Sequence, residues 1–497
     1  MIADRRTRSY GGALPGEAAA VLVLLPLLVA LLISGEYAQW WGAPRGWLIL
    51  LDTLCFAGLS AAVAVAAGAV VARAGWAWVV GACTPLVLPA SLVGSAWIVA
   101  LGRNAPLGGW VTVYDGPIAA AVVGLRYAGL AGLILLSQRQ APGPAATVFA
   151  ARRAWWWLGV RPMLRSMLLA WTVVLLWASA EPILPSMFLI HTYATQVLIQ
   201  TNALLDPAGA VTLAVPMLLA GGAALTMLMP RRLRWTTTGA GPGEAWSRGG
   251  RANGWVRRSG AGAVLLLTMG VPVVALVARL SDGAAFAAAW RDAWPELRHT
   301  LWLAGIAAPC CVLLGWLLGS CWRHGLAQRR WTLVPYSLLV LVIPPAVLAL
   351  GWGELASRWP LVEWRDTSAV LGLAYVLRFA PIAAVVMLVT SLRRSDAPDA
   401  AARVHGVPWR RRVLRVTWPT HRRGVVNAAA VCLLFIVTEL EMSLLLTPAG
   451  TNTIGVRLYT LIHTAPDAQV AATALAALLT FVPLIVVAGA AVLWRQT

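Results

Sequence analysis

Arg126 and Arg378 stand inside long apolar runs, in the near-identical tetrads Leu125-Arg126-Tyr127-Ala128 and Leu377-Arg378-Phe379-Ala380. A guanidinium at mid-membrane is costly, so each must face a bundle interior or water. Two readings follow. Each arginine lines a pathway or gate, or each is an interhelical ion-pair partner or a group snorkelling toward the interface. Both precede helix-loosening pairs, Ala128-Gly129 and Ala380-Pro381. Pro89 and Pro344 interrupt neighbouring apolar runs, where they free carbonyls and kink helices. Such kinks line a path or flex, or they serve packing alone. Glu181, Glu439 and Glu441 fall at the expected outer ends of helices and read as solvated end groups. Contact with an extracytoplasmic partner or a cationic solute is the alternative.

Other chemistry is missing. The chain contains no lysine, so all 39 basic residues are arginine. The phosphate-cradling loop of an ATPase needs its lysine and therefore cannot be present. No nucleophile–histidine–acid set or paired-carboxylate motif stands out. His191, His299, His405, His421 and His463 lack metal-ligand spacing. The six cysteines lie in or beside apolar segments and read as small buried residues. No catalytic residue, cofactor or metal is expected, and this polypeptide alone is not expected to be an enzyme.

The elements that must carry these residues are membrane helices. Of 497 residues, 60% are hydrophobic and 12% charged, and apolar runs recur along the whole chain. Runs so long and continuous predict an all-α polytopic protein rather than barrel strands. About twelve spans are expected, near residues 17–34, 47–72, 77–101, 117–137, 164–180, 207–229, 258–280, 298–321, 332–352, 368–391, 425–446 and 469–494. The net charge of +20 is concentrated in alternate loops, which the positive-inside rule places in the cytoplasm together with both termini. That distribution orients helices and argues against nucleic acid as a partner. The run starting near Ala18 follows Arg5, Arg6 and Arg8 and reads as an uncleaved first span, with a signal peptide as the alternative.

The two halves repeat each other. Thr53-Leu54, Ala57-Gly58, Ala61 and Gly68 recur as Thr300-Leu301, Ala304-Gly305, Ala308 and Gly315. Leu86-Val87-Leu88-Pro89 with Trp97 recurs as Leu341-Val342-Ile343-Pro344 with Trp352. Glu181 and Asp206 have near counterparts in Glu441 and Asp467. The expected organisation is a six-span half over 1–229, a Gly/Arg/Ser-rich cytoplasmic linker over 230–257 and a second six-span half over 258–497. A basic membrane-surface segment competes for the linker. Parallel repeats are related by an axis along the membrane normal, and rocking them exposes a central path to alternate sides.

Between the tenth and eleventh expected spans lies a basic stretch, Arg393 to Arg423. Asp399 can cap a short helix and Gly406 can end it, and Pro419 marks a break before the next apolar run. A cytosolic helix so placed suits docking to a soluble partner, and a solvated basic loop is the plainer reading. The stretch resembles the cytoplasmic coupling loop of ABC-transporter inner-membrane permeases. Ala401-Ala402, Gly406 and Pro419 fall on that motif's alanines, glycine and proline, while Ala400 stands where the family has glutamate. Thr-Leu openings of the second span and a proline in the third also match. The two fused halves are similar to the iron(III) and thiamine importer permeases.

The resemblance implies the membrane subunit of an ATP-driven importer in the cell inner membrane. Its cargo would be iron(III) or another small solute delivered by an extracytoplasmic binding protein. Two ABC ATPase subunits would dock on loops carrying Asp399, Ala401, Ala402, Arg403, Gly406, Arg410, Arg411 and Pro419 in the second half. A degenerate first loop would carry Ala150, Ala151, Arg152 and Gly159. An ion-driven secondary transporter with two parallel repeats is the alternative reading, and a polytopic membrane enzyme is a third.

Overall fold

A computed structural model describes residues 14–33, 44–101, 115–137, 161–228, 251–280, 283–327, 333–358, 362–392 and 397–493. Every regular element among them is helical. Six helices are long and apolar enough to cross a bilayer, and four sharply bent pairs raise the number to ten if each pair is one span. Exposed leucines such as Leu22, Leu28, Leu48 and Leu51 cover the outer faces, while alanine dominates the interior. Lipid accepts the former, and the small residues let backbones approach.

The first half of the chain gives α1 (Leu14–Ile33), α2 (Pro44–Ala74), α3 (Trp76–Ala82), α4 (Thr84–Val87), α5 (Ala90–Leu101), α6 (Gly116–Arg126) and α7 (Ala128–Ser137). It continues with α8 (Arg161–Ser179), α9 (Ile183–Met187), α10 (Tyr193–Asn202) and α11 (Pro207–Leu228). The second opens with α12 (Arg251–Leu265), a π turn over Leu266–Gly270, α13 (Val271–Val277) and α14 (Gly283–Ala327). Then come α15 (Leu339–Val342), α16 (Pro345–Ala356), α17 (Ser368–Leu392), α18 (Ala397–Val404) and α19 (Trp409–Arg412). The chain closes with α20 (Trp418–Thr438), α21 (Glu441–Leu446), α22 (Ile454–Thr464) and α23 (Asp467–Leu493).

Several expected spans take another form. Pro89 and Pro344 do not gently kink their spans. The helices either side of them meet at 93° and 110°. Each proline lacks an amide donor, so the helix stops and restarts in a new direction. The span expected over 425–446 ends at Thr438, and Glu439-Leu440 separate it from α21. The helix expected over 298–321 is α14, 45 residues long. At 1.5 Å per residue it runs roughly 67 Å, more than twice a hydrocarbon core. Residues 251–257, expected in a linker, form the start of α12; residues 229–250 lie outside the described residues.

The same crossing occurs in both halves. A Cβ on Gly68 of α2 would lie 2.8 Å from the Ala128 carbonyl oxygen of α7. A Cβ on Gly315 of α14 would lie 2.9 Å from the Ala380 carbonyl oxygen of α17. Only glycine lets those helices touch backbone to backbone. The opening helices cross over: α1 packs on α16, and α13 packs on α5. At the first of these contacts a Cβ on Gly351 would lie 2.0 Å from the Pro26 carbonyl oxygen.

Two short helices follow each fifth long one, α9 with α10 and α21 with α22. No apolar periodicity marked them. The signal in the sequence is their caps: Thr192 accepts from the Thr195 amide and Thr453 from the Val456 amide. Each pair is tied back by one threonine. The Tyr193 amide donates to Thr53 Oγ1 at 2.9 Å, and the Ile454 amide donates to Thr300 Oγ1 at 2.9 Å. Those hydroxyls donate in turn to the Ile49 and Glu296 carbonyls, both at 2.7 Å.

Candidate functional site: a charged cavity between the halves

The broken spans, the tetrads bearing the arginines and the ends of α8 and α20 converge on one cavity. It measures about 60 Å³, room for a few water molecules. Leu86, Ala90, Arg126, Tyr127, Trp177 and Glu181 line it from the first half of the chain. Leu341, Pro345, Arg378, Phe379, Phe435 and Glu439 line it from the second, each the counterpart in sequence of one of those six. Thr438, Leu440 and Glu441 complete that wall, and Ala180 and Ile183 complete the other.

Both arginines are buried, at 7% and 6% exposure. Arg126 Nη1 donates to Glu181 Oε2 at 3.2 Å, and Nη2 donates to the Leu88 carbonyl at 3.2 Å. Pro89 explains the second bond: by stopping the helix it strips Leu88 of its normal donor. Tyr127 also donates to Glu181 Oε2, at 3.3 Å. Across the cavity Arg378 Nε lies 3.6 Å from Glu439 Oε2, an ion pair without a hydrogen bond. Each guanidinium sits near the ring that follows it, 5.8 Å from the Tyr127 centroid and 5.7 Å from that of Phe379. Between the pairs, Trp177 meets Phe435 at 5.2 Å and Phe435 meets Phe379 at 5.9 Å. Aromatic walls and paired charges thus meet where the two halves touch.

The glutamates correct the sequence reading. They are not solvated helix-end groups: Glu181 and Glu439 are 12% and 10% exposed at the side chain, and Glu441 is buried. Glu181 also has a different counterpart. Trp177 aligns with Phe435 and Glu181 with Glu439 at one common offset, and Glu439 is the carboxylate that meets the arginine. Glu441 aligns with Ile183 instead. It is a carboxyl on one side only, and its Oε2 has no hydrogen-bond partner.

The basic stretch lies elsewhere. No residue of α18 is buried, and Val404 is 85% exposed. Gly406 ends α18 in the left-handed region, at φ +68°. The Gly406 amide donates to the Arg403 carbonyl and the Val407 amide to the Ala402 carbonyl, the paired bonds of a Schellman end. Asp399 is not the cap expected. It lies inside the first turn, and its carboxylate meets Arg403 Nη2 at 2.7 Å and Arg412 Nε at 3.0 Å. Those two bonds fold α19 back toward α18. Arg410, Arg411 and Arg415 are exposed. Pro419 does not break the chain. It occupies the first turn of α20, where a missing amide is harmless, and a π turn over Val413–Thr417 leads into it. The 60° bend falls later, between Arg422 and Gly424.

Ala150, Ala151, Arg152 and Gly159 lie outside the described residues. Among the described residues, no group of three or more histidine, cysteine, aspartate or glutamate side chains is placed to hold a metal ion. All six cysteines are free thiols.

The class these features define is an all-α, multi-pass membrane protein with a charged cavity at the centre of the bundle. Comparison with protein-family models, with curated proteins and with solved structures finds no match.

Proposed function

We propose that this chain is the permease subunit of an ATP-driven importer, with both six-span halves in one polypeptide. It sits in the inner (cytoplasmic) membrane with both termini in the cytoplasm. The observation that carries the reading is the doubled arrangement around the cavity. Arg126–Glu181 and Arg378–Glu439, the proline breaks beside them and the Thr53 and Thr300 ties recur in the same order in each half. Two like halves about a membrane-normal axis enclose a path that rocking opens to either side. In the closed state the paired charges and stacked rings occlude that path.

The lever is α18. It is exposed, ended sharply by Gly406 and braced by Asp399. Arg410, Arg411 and Arg415 suit acidic walls of an ATPase groove, or anionic headgroups beside it. Two separate ATPase subunits supply the hydrolysis, and an extracytoplasmic binding protein delivers iron(III) or another small solute. The test is co-purification. A tagged chain gently extracted from its native membrane brings down a subunit that hydrolyses ATP. Gly406→Pro inserts normally but uncouples transport from hydrolysis. Full-rate transport by that variant, or transport with no such subunit present, defeats the reading.

One observation favours a second reading, an ion-driven carrier: three carboxyl groups, each at most 12% exposed, line the cavity. Proteoliposomes holding the chain alone separate the two, since a carrier moves solute on an ion gradient and a permease without its motor does not.

A further inference from the structure

The twin helices α10 and α22 both reach across the seam. α10 packs on α16 of the second half, and α22 packs on α5 of the first. Each therefore latches one half onto the other, while Thr53 or Thr300 ties it to its own half. The two latches are not mechanically alike.

The offset that brings the capping Thr192 onto Thr453 also brings Leu189 onto Gly450 and Leu205 onto Pro466. Among the described residues, Leu189 and Leu205 are the only non-glycine positions with positive φ, at +60° and +53°. They stand on either side of α10. A leucine in that region crowds its Cβ against the backbone, a strain that glycine escapes. Gly450 takes the same region freely, at φ +82°, and the ring of Pro466 holds φ at about −65°. Packing does not offset the strain, because the two leucines are 72% and 79% exposed. What holds them is the docked helix between them. Tyr193, Ala194, Val197 and Leu198 are buried, and the Tyr193 hydroxyl donates to the Gly46 carbonyl at 2.9 Å. Strained backbone persists only where its surroundings over-determine it, and it clusters at switch segments.

The second latch is clamped instead. Arg457 Nη1 on α22 donates to Glu296 Oε1 on α14 at 2.7 Å, and the two side chains are 22% and 16% exposed. The positions that correspond to this pair in the first half hold Gln196 and Ile49, which cannot form it.

We infer that α10 is a sprung latch and α22 a clamped one, so that parting of the halves is biased to begin at α10. Undocking α10 relaxes Leu189 and Leu205, whereas undocking α22 relaxes nothing and breaks an ion pair. The inference takes its purpose from the transport reading, but its test does not depend on that reading.

The test is amide exchange of the full chain in nanodiscs, with no ATPase and no solute, read at Tyr193–Asn202 and Ile454–Thr464. Leu189→Asn and Leu205→Asn supply a residue that accepts the left-handed region. Each slows exchange of α10 about fivefold. Gly450→Ala, whose Cβ meets no neighbouring atom, speeds exchange of α22 about fivefold. Arg457→Gln speeds it about tenfold or more, the loss of one charged partner. Should Arg457→Gln fail to fold, Gly450→Ala decides for α22. Unchanged α10 exchange in the double variant Leu189→Asn/Leu205→Asn overturns the proposal, even if the whole protein then resists SDS better, because the strain would not be released at the latch. Exchange of α22 that ignores Gly450→Ala, or Arg457→Gln in a folded variant, overturns it as well. No motor enters the measurement, so this failure is distinct from failure to co-purify an ATPase.

Discussion

Arg126→Met and Arg378→Met look equivalent in the sequence, yet the structure makes them unequal. Arg126→Met leaves Glu181 buried without its guanidinium and also orphans the Leu88 carbonyl. Breaking a buried pair costs about 3–5 kcal/mol, and an unsatisfied buried carbonyl adds about 1–3 kcal/mol. Arg378→Met removes a looser pair, 3.6 Å apart and without a hydrogen bond to a backbone oxygen. Its cost sits at the low end, about 3 kcal/mol. The expected difference is therefore about 1–5 kcal/mol. The double variant Arg126→Met/Glu181→Leu removes both charges and should regain the pair's share, leaving the cost of the Leu88 carbonyl and of the Tyr127 hydroxyl, which loses its acceptor. SDS-titrated unfolding in mixed micelles measures all three against wild type. The reasoning fails if Arg378→Met is as damaging as Arg126→Met, or if the double variant is no more stable than the single.

Further outcomes follow from the same geometry. Thr53→Val and Thr300→Val should each destabilise by about 1 kcal/mol, one hydrogen bond, and should loosen α10 and α22 respectively, seen as faster amide exchange at Tyr193 and Ile454. Gly129→Val should prevent folding, because a Cβ there would lie 2.3 Å from the Ala82 carbonyl oxygen; loss of the monodisperse peak in size-exclusion chromatography reads it. Gly406→Ala meets no neighbouring atom, so its penalty is the left-handed backbone alone, about 1 kcal/mol. Exchange at Ala397–Val404 should then rise about fivefold.

The arginine tetrads, the prolines and Gly406 were legible because each is a local exception, a charge or a stop within apolar helix. What those exceptions meet was not legible. Glu439 and Glu441 are two residues apart, and only the offset that also brings Trp177 onto Phe435 shows which one answers Glu181. Burial of the glutamates was missed for a similar reason: a carboxylate at a helix end is solvated unless another half covers it. The crossings of α1 onto α16 and α13 onto α5 leave no trace in hydropathy, since an apolar helix advertises a buried face but not its neighbour. Asp399 was misplaced by three residues because a carboxylate in the first turn and one at the cap serve the same dipole.

The exchange of opening helices bears on how the protein is made. A ribosome that has released α1 through α11 has built a half whose first helix rests against residues not yet synthesised. Until α16 emerges, the face of α1 around Pro26 waits against lipid, and α5 waits likewise for α13. Neither half can finish maturing before the other, so a truncated chain stalled after residue 229 should be cleared by quality control rather than accumulate as a stable fragment.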